Sequence, residues 1–315
     1  MLSIVIVARN TEELLAGLLT SIRKDASLRP LLREIIVVDN ASSDGTGRLV
    51  NESFPEVHYL KNAENRGFAA AANQGSAIAT GDFLLFLNSD TRLLPGEVEK
   101  VLALMKDETT IGIAGPQLVY EDMRPQRSFA GAPSLLLEVV PFFVLGLMFP
   151  VKYGTGRADS SPPRDVESVI GAAMFVRAYV MRILGGFDER FFFFLEETDL
   201  CVRAKRNGYR VFFSPSTKVI HLQGKTVRQT WVKGRIEYAI SLYKFIKKYH
   251  SAPYYRTFIL VRVMKSLLFL LVATLLPFLL LSQSTRRKYD YYSRLILWHA
   301  KGLPDDAGLR SSSLK

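Results

Sequence analysis

Apolar runs too short to be helices alternate with amphipathic stretches along the first part of the chain. Residues 3–8, 34–38, 57–60 and 83–87 are compact strings rich in β-branched and large apolar side chains, and they read as buried strands. Between them Leu14, Leu15, Leu18, Leu19 and Ile22 share one helical face, and an alanine-rich helix is expected over 68–79. Asn40-Ala41-Ser42-Ser43-Asp44-Gly45 is a turn and helix-capping cluster, and Pro95 opens a further helix. This alternation predicts an α/β fold with a Rossmann-like, mainly parallel sheet covered by helices on both faces. Ligands of such sheets sit beyond the carboxyl ends of the strands, so chemistry is sought there.

A chain of 315 residues, 48% of them hydrophobic, can bury one large core and carry an appendage. The expected division is a catalytic domain over 1–240, with halves 1–120 and 121–240, and a tail over 241–315. The single cysteine, Cys201, excludes an internal disulfide, fits a reducing compartment and reads as a buried thiol. The apolar N-terminal run is too short for a secretion signal and has no basic residues before it, so the front of the chain is expected in the cytosol.

Charge is distributed unevenly. The net charge is +11, yet residues 241–315 hold 13 Lys or Arg against 3 Asp or Glu, while the residues before them hold 28 against 27. Within that basic tail, residues 266–281 carry no charge at all. Arg256, Arg262 and Lys265 precede the run; Arg286, Arg287 and Lys288 follow it. Tyr249, Tyr254, Tyr255 and Phe258 lie on one side, and Tyr289, Tyr291, Tyr292 and Trp298 on the other. An apolar centre, aromatic edges and basic flanks suit an anionic membrane surface rather than nucleic acid. Sixteen helical residues reach about 24 Å, short of a hydrocarbon core of about 30 Å. Pro277 also interrupts the run, and basic flanks on both sides disfavour a single crossing. A monotopic or re-entrant helix pair at the cytoplasmic face of the membrane is therefore expected ahead of a single span. A second apolar stretch, 134–151, has Glu138 as its one charge and is broken by Pro141, Gly146 and Pro150. It reads equally as a core element or as an insertion that dips into lipid.

Three polar clusters follow strands. Asp39, after Ile35-Ile36-Val37-Val38, is a turn aspartate or an acceptor for a pyrimidine N–H. Asn65-Arg66-Gly67-Phe68-Ala69 opens the alanine-rich helix, whose first N–H groups can meet a diphosphate. Asn88-Ser89-Asp90 ends a strand, and its acid can hold Mg²⁺ or Mn²⁺, which want oxygen ligands.

Taken together these segments resemble the inverting, GT-A-fold family 2 glycosyltransferases, especially the rhamnosyltransferase-like group. The resemblance rests on residues 3–10, 38–46, 65–75 and 88–90, continues through 171–177, 186–192 and 196–203, and ends with 215–221. It covers about residues 2–225 and leaves out the tail. It implies donor contacts at Ala8, Asn10, Asp39, Asn65, Gly67, Phe68, Ala69, Asn88 and Ser89, and a divalent metal at Asp90 and His221. The usual Asp-x-Asp motif has the neutral Asn88 in its first position here, and Arg9 stands where relatives often have Tyr or His.

Glu196-Glu197-Thr198-Asp199 follows an aromatic wall, Phe191-Phe192-Phe193-Phe194, and opens a helix whose dipole favours acids. Displacement at a sugar carbon needs one general base on the acceptor hydroxyl. By motif position Glu197 is that base, with Glu196 and Asp199 positioning the acceptor or supporting it. Lys225 and Arg228 are candidates for neutralising phosphate. The resemblance implies a hexosyltransferase of cell-envelope polysaccharide synthesis, with a nucleotide-diphosphate sugar as donor. Rhamnose is the first expectation for the sugar, and the apolar, basic tail leads to a polyprenyl-diphosphate-linked saccharide as the expected acceptor. A nucleotidyltransferase would need a glycine-rich triphosphate loop after the first strand, where Arg9-Asn10-Thr11-Glu12 stands; a non-catalytic lipid-binding protein would leave the carboxylates without a task.

Overall fold

The computed structural model describes residues 1–140, 142–148, 162–222 and 231–310. In chain order the elements are β1 (Leu2–Ala8), α1 (Glu12–Lys24), β2 (Leu32–Asp39), α2 (Thr46–Ser53), β3 (His58–Lys61), α3 (Phe68–Ile78), β4 (Phe83–Asn88) and β5 (Thr91–Leu93). Next come α4 (Glu97–Asp107), β6 (Ile111–Val119), β7 (Phe129–Ala130), α5 (Leu135–Val139), α6 (Phe142–Met148), β8 (Arg164–Asp165), β9 (Ser168–Val169) and β10 (Ala173–Arg177). The last are α7 (Ala178–Ile183), α8 (Glu196–Arg206), β11 (Arg210–His221), α9 (Trp231–Tyr249), α10 (Ala252–Leu275), a 3₁₀ turn (Pro277–Leu281) and α11 (Gln283–Ala300). They form two compact units. The first holds Met1–Ala132, Gly146–Glu189 and Glu196–Thr226; the second holds Pro133–Leu145, Arg190–Leu195 and Val227–Lys315.

The first unit is built on a sheet of order β3-β2-β1-β4-β10-β6-β11-β5, with β8 paired to β11. Pairing is parallel from β3 to β4, and β10 runs antiparallel to both β4 and β6. With β11 parallel to β6, six strands share one direction while β10, β5 and β8 oppose it. Strand periodicity explains the layers. Leu2, Ile4, Ile6, Ile35, Val37, Leu85 and Leu87 join Leu15, Leu18 and Leu19 of α1 and Val98, Val101 and Leu102 of α4 in one core. The alternate residues face α3: a Cβ on Gly75 would lie 2.5 Å from Val5, 3.2 Å from Val38 and 3.6 Å from Ile36. Glycine and the buried Ala69, Ala71 and Ala72 are what let that helix approach so closely. Both faces are thus covered, as the alternation requires. Pro95 does not itself begin a helix. Gly96 follows it with φ +76°, and α4 starts at Glu97.

The second unit is helical. α10 is 24 residues long, with a mean hydropathy of 2.2 over its most apolar 18-residue window, long and apolar enough to cross a membrane by length and composition. It extends back to Ala252 and stops before Pro277, which opens the 3₁₀ turn. α11 then returns alongside it: the rings of Phe269 and Tyr292 lie 4.9 Å apart, and Thr274 meets the Tyr289 hydroxyl at 3.4 Å. Phe258, Arg262, Ser266 and Ala273 are buried along one stripe of α10. Leu260, Met264, Leu267, Leu271 and Leu275, on another stripe at helical spacing, are 45–69% exposed.

Several residues of the expected interfacial belt are core instead. Arg262 is buried, bonding Glu138 at 3.0 Å and the Tyr291 hydroxyl at 3.0 Å, while Lys265 meets Glu138 at 3.3 Å. Phe258, Tyr291 and Trp298 are at most 4% exposed. The cause is Glu138: a carboxylate in an apolar segment needs cations, and α10 supplies two. Leu135 N–H also donates to the Tyr254 hydroxyl at 2.6 Å, so this part of the second apolar stretch is tied to α10. Pro141 and Pro150 lie outside the described residues.

Candidate active site

Parallel register brings the expected donor residues to one sheet edge. Ala8 pairs with Asp39 and Val7 with Asn88, so the carboxyl ends of β1, β2 and β4 lie side by side. The loops beyond them are clasped together. The Asn10 N–H donates to Ser42 Oγ at 2.9 Å, Asn10 Oδ1 accepts from Ser43 N–H at 2.8 Å, and Gly45 N–H bonds Glu12 at 3.1 Å. Asn10 and Ala41 adopt positive φ to make these turns. Asp44 accepts from Thr46 and from Glu12 N–H; burial raises its pKa, but these bonds outweigh it and hold the carboxyl below its ordinary range.

Asp39 is buried, with Oδ1 accepting from Ser42 N–H at 2.8 Å and Oδ2 from the Tyr59 hydroxyl at 2.5 Å. Burial and the bond to Asp39 push the Tyr59 phenol upward. Beside Asp39, Asn40 donates to Asn65 Oδ1 at 2.7 Å and to the Gly67 carbonyl at 3.1 Å, and it accepts from Arg66 N–H at 3.0 Å. Asn65 accepts Gly67 N–H at 3.1 Å. This network holds the 65–67 loop at the start of α3, which no side chain caps. Gly67 has φ +82°, the left-handed region that glycine enters without cost. Phe68 and Ala69 are buried behind it, and Phe187 packs edge-on to Phe68 and Phe86 at 5.9 and 5.0 Å.

Asn88 closes β4, Ser89 is buried, and Asp90 leads into β5. The antiparallel pairing of β5 with β11 sets Thr91 opposite His221, and Leu222 N–H bonds the Asp90 carbonyl at 2.9 Å. His221 Nε2 consequently stands 3.5 Å from Asp90 Oδ1, with both side chains nearly buried. On its other side His221 Nδ1 meets Gln126 Oε1 at 3.0 Å. A carboxylate and an imidazole nitrogen converging on one point form an acceptable donor set for Mg²⁺ or Mn²⁺, which complete their shells with diphosphate oxygens and water. Among the described residues no group of three or more His, Cys, Asp or Glu is close enough to hold an ion unaided. Lys225 and Arg228 lie outside the described residues.

The three acids of α8 have different surroundings. Asp199 is fully buried and bonds Arg203 at 2.7 Å; Arg203 also donates to the carbonyls of Leu184 and Gly186. It supports the frame and offers no open oxygen edge to an acceptor. Glu196 is buried and Glu197 half-buried. Glu197 lies against Gly171, where an added Cβ would stand 3.4 Å from its Cβ and Cγ. The next residue, Ala172, accepts the Asn88 N–H at 3.0 Å, so Gly171 adjoins the end of β4. Phe194 and Leu195, immediately before α8, both have positive φ, an uncommon strain for apolar residues that sets the entry of this helix. Asn40, Tyr59, Gln126 and Gly171 are parts of the site that spacing alone did not disclose. For the first two the adjacency to Asp39 in sequence or register was the available signal; for Gln126 there was none.

The model of the family described as "Glycosyl transferase family 2" matches residues 3–183, more than half of the chain. Among curated proteins, N-acetylglucosaminyl-diphospho-decaprenol L-rhamnosyltransferase of Mycobacterium tuberculosis is 26% identical over 242 residues, 72% of this chain and 78% of the relative. Pre-mycofactocin glycosyltransferase of the same organism is 28% identical over 75% of this chain and 45% of its own length. Among solved structures, a mannosyltransferase from Pyrobaculum calidifontis in complex with GDP-Man and Mn²⁺ superposes with TM-score 0.61 at 18% identity, covering 96% of this chain and 87% of that one. That likeness concerns the fold, and it is the GT-A fold that the strand order builds. The chain belongs to glycosyl transferase family 2 and is a glycosyltransferase.

Proposed function

We propose that this enzyme moves a hexose, rhamnose in the first instance, from a nucleoside-diphosphate donor to a hydroxyl of a polyprenyl-diphosphate-linked saccharide, with inversion. The observation that carries this reading is the approach of His221 to Asp90 at 3.5 Å, two residues beyond the end of β4, in the sheet whose strand β2 ends in Asp39; Glu197, beside Gly171, is the base this reading assigns. Asp39 accepts a base N–H, the loop 65–67 and the start of α3 receive the diphosphate, and Glu197 takes the proton of the acceptor hydroxyl as its oxygen attacks the anomeric carbon. Asp90 and His221 would hold the divalent cation, which neutralises charge on the departing diphosphate. The rhamnosyltransferase relative, whose name specifies a decaprenyl-diphosphate-linked N-acetylglucosamine, supports the choice of acceptor class.

The second unit supports work at a bilayer. Besides the stripe on α10, Leu276, Phe278 and Leu281 at the turn are 44–81% exposed, and Arg286, Arg287 and Lys288 follow within α11. Apolar insertion with basic residues at headgroup level fits a monotopic hairpin on the cytoplasmic face.

The test is a screen of nucleotide sugars with purified full-length protein, with Mn²⁺ or with EDTA, and with a polyprenyl-diphosphate N-acetylglucosamine acceptor. Transfer of one sugar with release of nucleoside diphosphate, abolished by EDTA, is the expected result. Release of pyrophosphate from a nucleoside triphosphate would replace this reading with nucleotidyl transfer, and binding to vesicles without turnover of any donor would leave only a lipid-binding role.

A further inference from the structure

Gln126 is 2% exposed, and every polar atom of its side chain is engaged. Its Nε2 donates to the backbone carbonyl of His221 at 2.6 Å and to that of Val119 at 3.2 Å. Carbonyl oxygens only accept, so the amide nitrogen must face them and the orientation of the amide is decided. Oε1 is then the atom directed at His221 Nδ1, 3.0 Å away. An amide oxygen also only accepts, so the proton of the neutral imidazole must sit on Nδ1. The electron pair of Nε2 is left pointing toward Asp90 Oδ1 at 3.5 Å, where two electron-rich atoms face one another. With the ring neutral the two atoms can share a cation; a protonated ring would instead donate Nε2–H to Asp90.

The backbone of Gln126 is itself immobilised. Its N–H donates to Leu118 at 2.7 Å, and its carbonyl accepts from Gln117 Nε2 at 2.7 Å and Ser128 Oγ at 3.0 Å. The side chain therefore reaches His221 from a loop held fixed against β6. It grips both the carbonyl and the ring of the last residue of β11.

We propose that Gln126 is a positioning residue that locks His221 in its Nδ1–H form, so that Nε2 and the Asp90 carboxylate together present a divalent-cation site. The inference rests on the assignment of Asp90 and His221 as the cation's protein ligands. A neutral amide here fills the place often taken by a carboxylate or carbonyl behind a ligating histidine.

The experiment has two arms. Imidazole ¹⁵N spectra of the metal-free, full-length protein, with His221 assigned by its loss in His221→Gln, should show a protonated Nδ1 and an unprotonated Nε2 across the range in which the ring is neutral. Mn²⁺ binding, read from the EPR signal of the free ion, should weaken by about 10- to 100-fold in Gln126→Met. In metal-free Gln126→Met the neutral imidazole of His221 should lose its preference for Nδ1–H and show a substantial Nε2–H population in the same ¹⁵N spectra, which a merely structural role would not produce. A proton on Nε2 in the parent protein overturns the tautomer lock whatever the metal result. Unchanged Mn²⁺ affinity in Gln126→Met overturns the positioning role. Absence of Mn²⁺ binding in a parent protein with the expected tautomer overturns the ligand assignment instead, and the role that depends on it.

Discussion

The Tyr59 hydroxyl donates to Asp39 Oδ2 at 2.5 Å while Ser42 N–H occupies Oδ1 at 2.8 Å, so this carboxylate is oriented before any ligand arrives. Each oxygen keeps acceptor capacity for a base N–H. Tyr59→Phe removes one of the two restraints. A hydrogen bond to a charged group contributes about 1.5–3 kcal/mol to the folded state, so Tyr59→Phe should lower Tm, and with Asp39 less restrained nucleoside diphosphate affinity should fall by a few-fold in calorimetric titration. Equal affinities for the parent and Tyr59→Phe would show that donor binding does not use this restraint.

Glu197→Gln tests the base. Loss of general-base assistance should lower turnover by about 10²- to 10⁴-fold. The KM for donor should stay within a factor of about two, because this change leaves the donor contacts alone. Gly171→Ala would bring its Cβ into ordinary contact with Glu197 at 3.4 Å and should leave turnover within about twofold of the parent. If Glu197→Gln retains a tenth or more of parental turnover, the proton leaves by another group.

Membrane docking is tested on the exposed stripe of α10. Replacing Leu267, Leu271 and Leu275 by Glu removes side chains that are 45%, 57% and 69% exposed, so the soluble fold should persist. Each leucine transferred into lipid contributes about 1.5–3 kcal/mol, so co-sedimentation with vesicles containing phosphatidylglycerol should weaken by more than about 100-fold. Undiminished sedimentation of the triple variant would place the membrane contact elsewhere.

Glu34 gives the first unit a pH-dependent tie. Its Oε1 accepts from Ser3 Oγ at 2.6 Å and from Thr80 N–H and Oγ1 at 2.7 and 2.9 Å. Burial pushes its pKa up, but these bonds and His58 outweigh that and hold it below the ordinary value. The unfolded chain therefore binds the proton more readily than the folded one. The stabilisation is complete above the unfolded pKa of about 4.3 and is lost as pH falls through the lower folded value. Glu34→Gln should lower Tm at pH 7, and the gap from the parent should shrink as the pH drops below about 4.3. A gap that widens on acidification would reverse the assigned direction.

Cys201 is fully buried, and burial pushes its thiol up to about 12. The thiolate is the reactive form, so a disulfide reagent at pH 8 should leave the native protein unmodified and react once it is denatured. Prompt stoichiometric labelling of the folded enzyme would show that α8 opens readily.

Ala8, Asp39 and Asn88 were legible because each ends a short apolar run, and in a parallel sheet strand ends with the same polarity share an edge. Asp199 was legible as an acid at a helix start, but its role was decided by Arg203, one turn along, which holds it inside the fold. Arg262 carried a misleading signal. A basic residue flanking an apolar run reads as an interfacial anchor, yet this one is buried because Glu138, distant in the chain, packs against it.

Local pattern alone determined the strand and helix alternation, the glycine at 67, the buried thiol and the apolar, basic character of the tail, since these depend on spacing within a few residues. Tertiary structure decided the partners: Tyr59 for Asp39, Asn40 for the 65–67 loop, and His221 for Asp90 with Gln126 behind it. The physical reason is register. Only the pairing of β11 with β5 sets His221 opposite Thr91, and no periodicity within either segment encodes which strand the other will find.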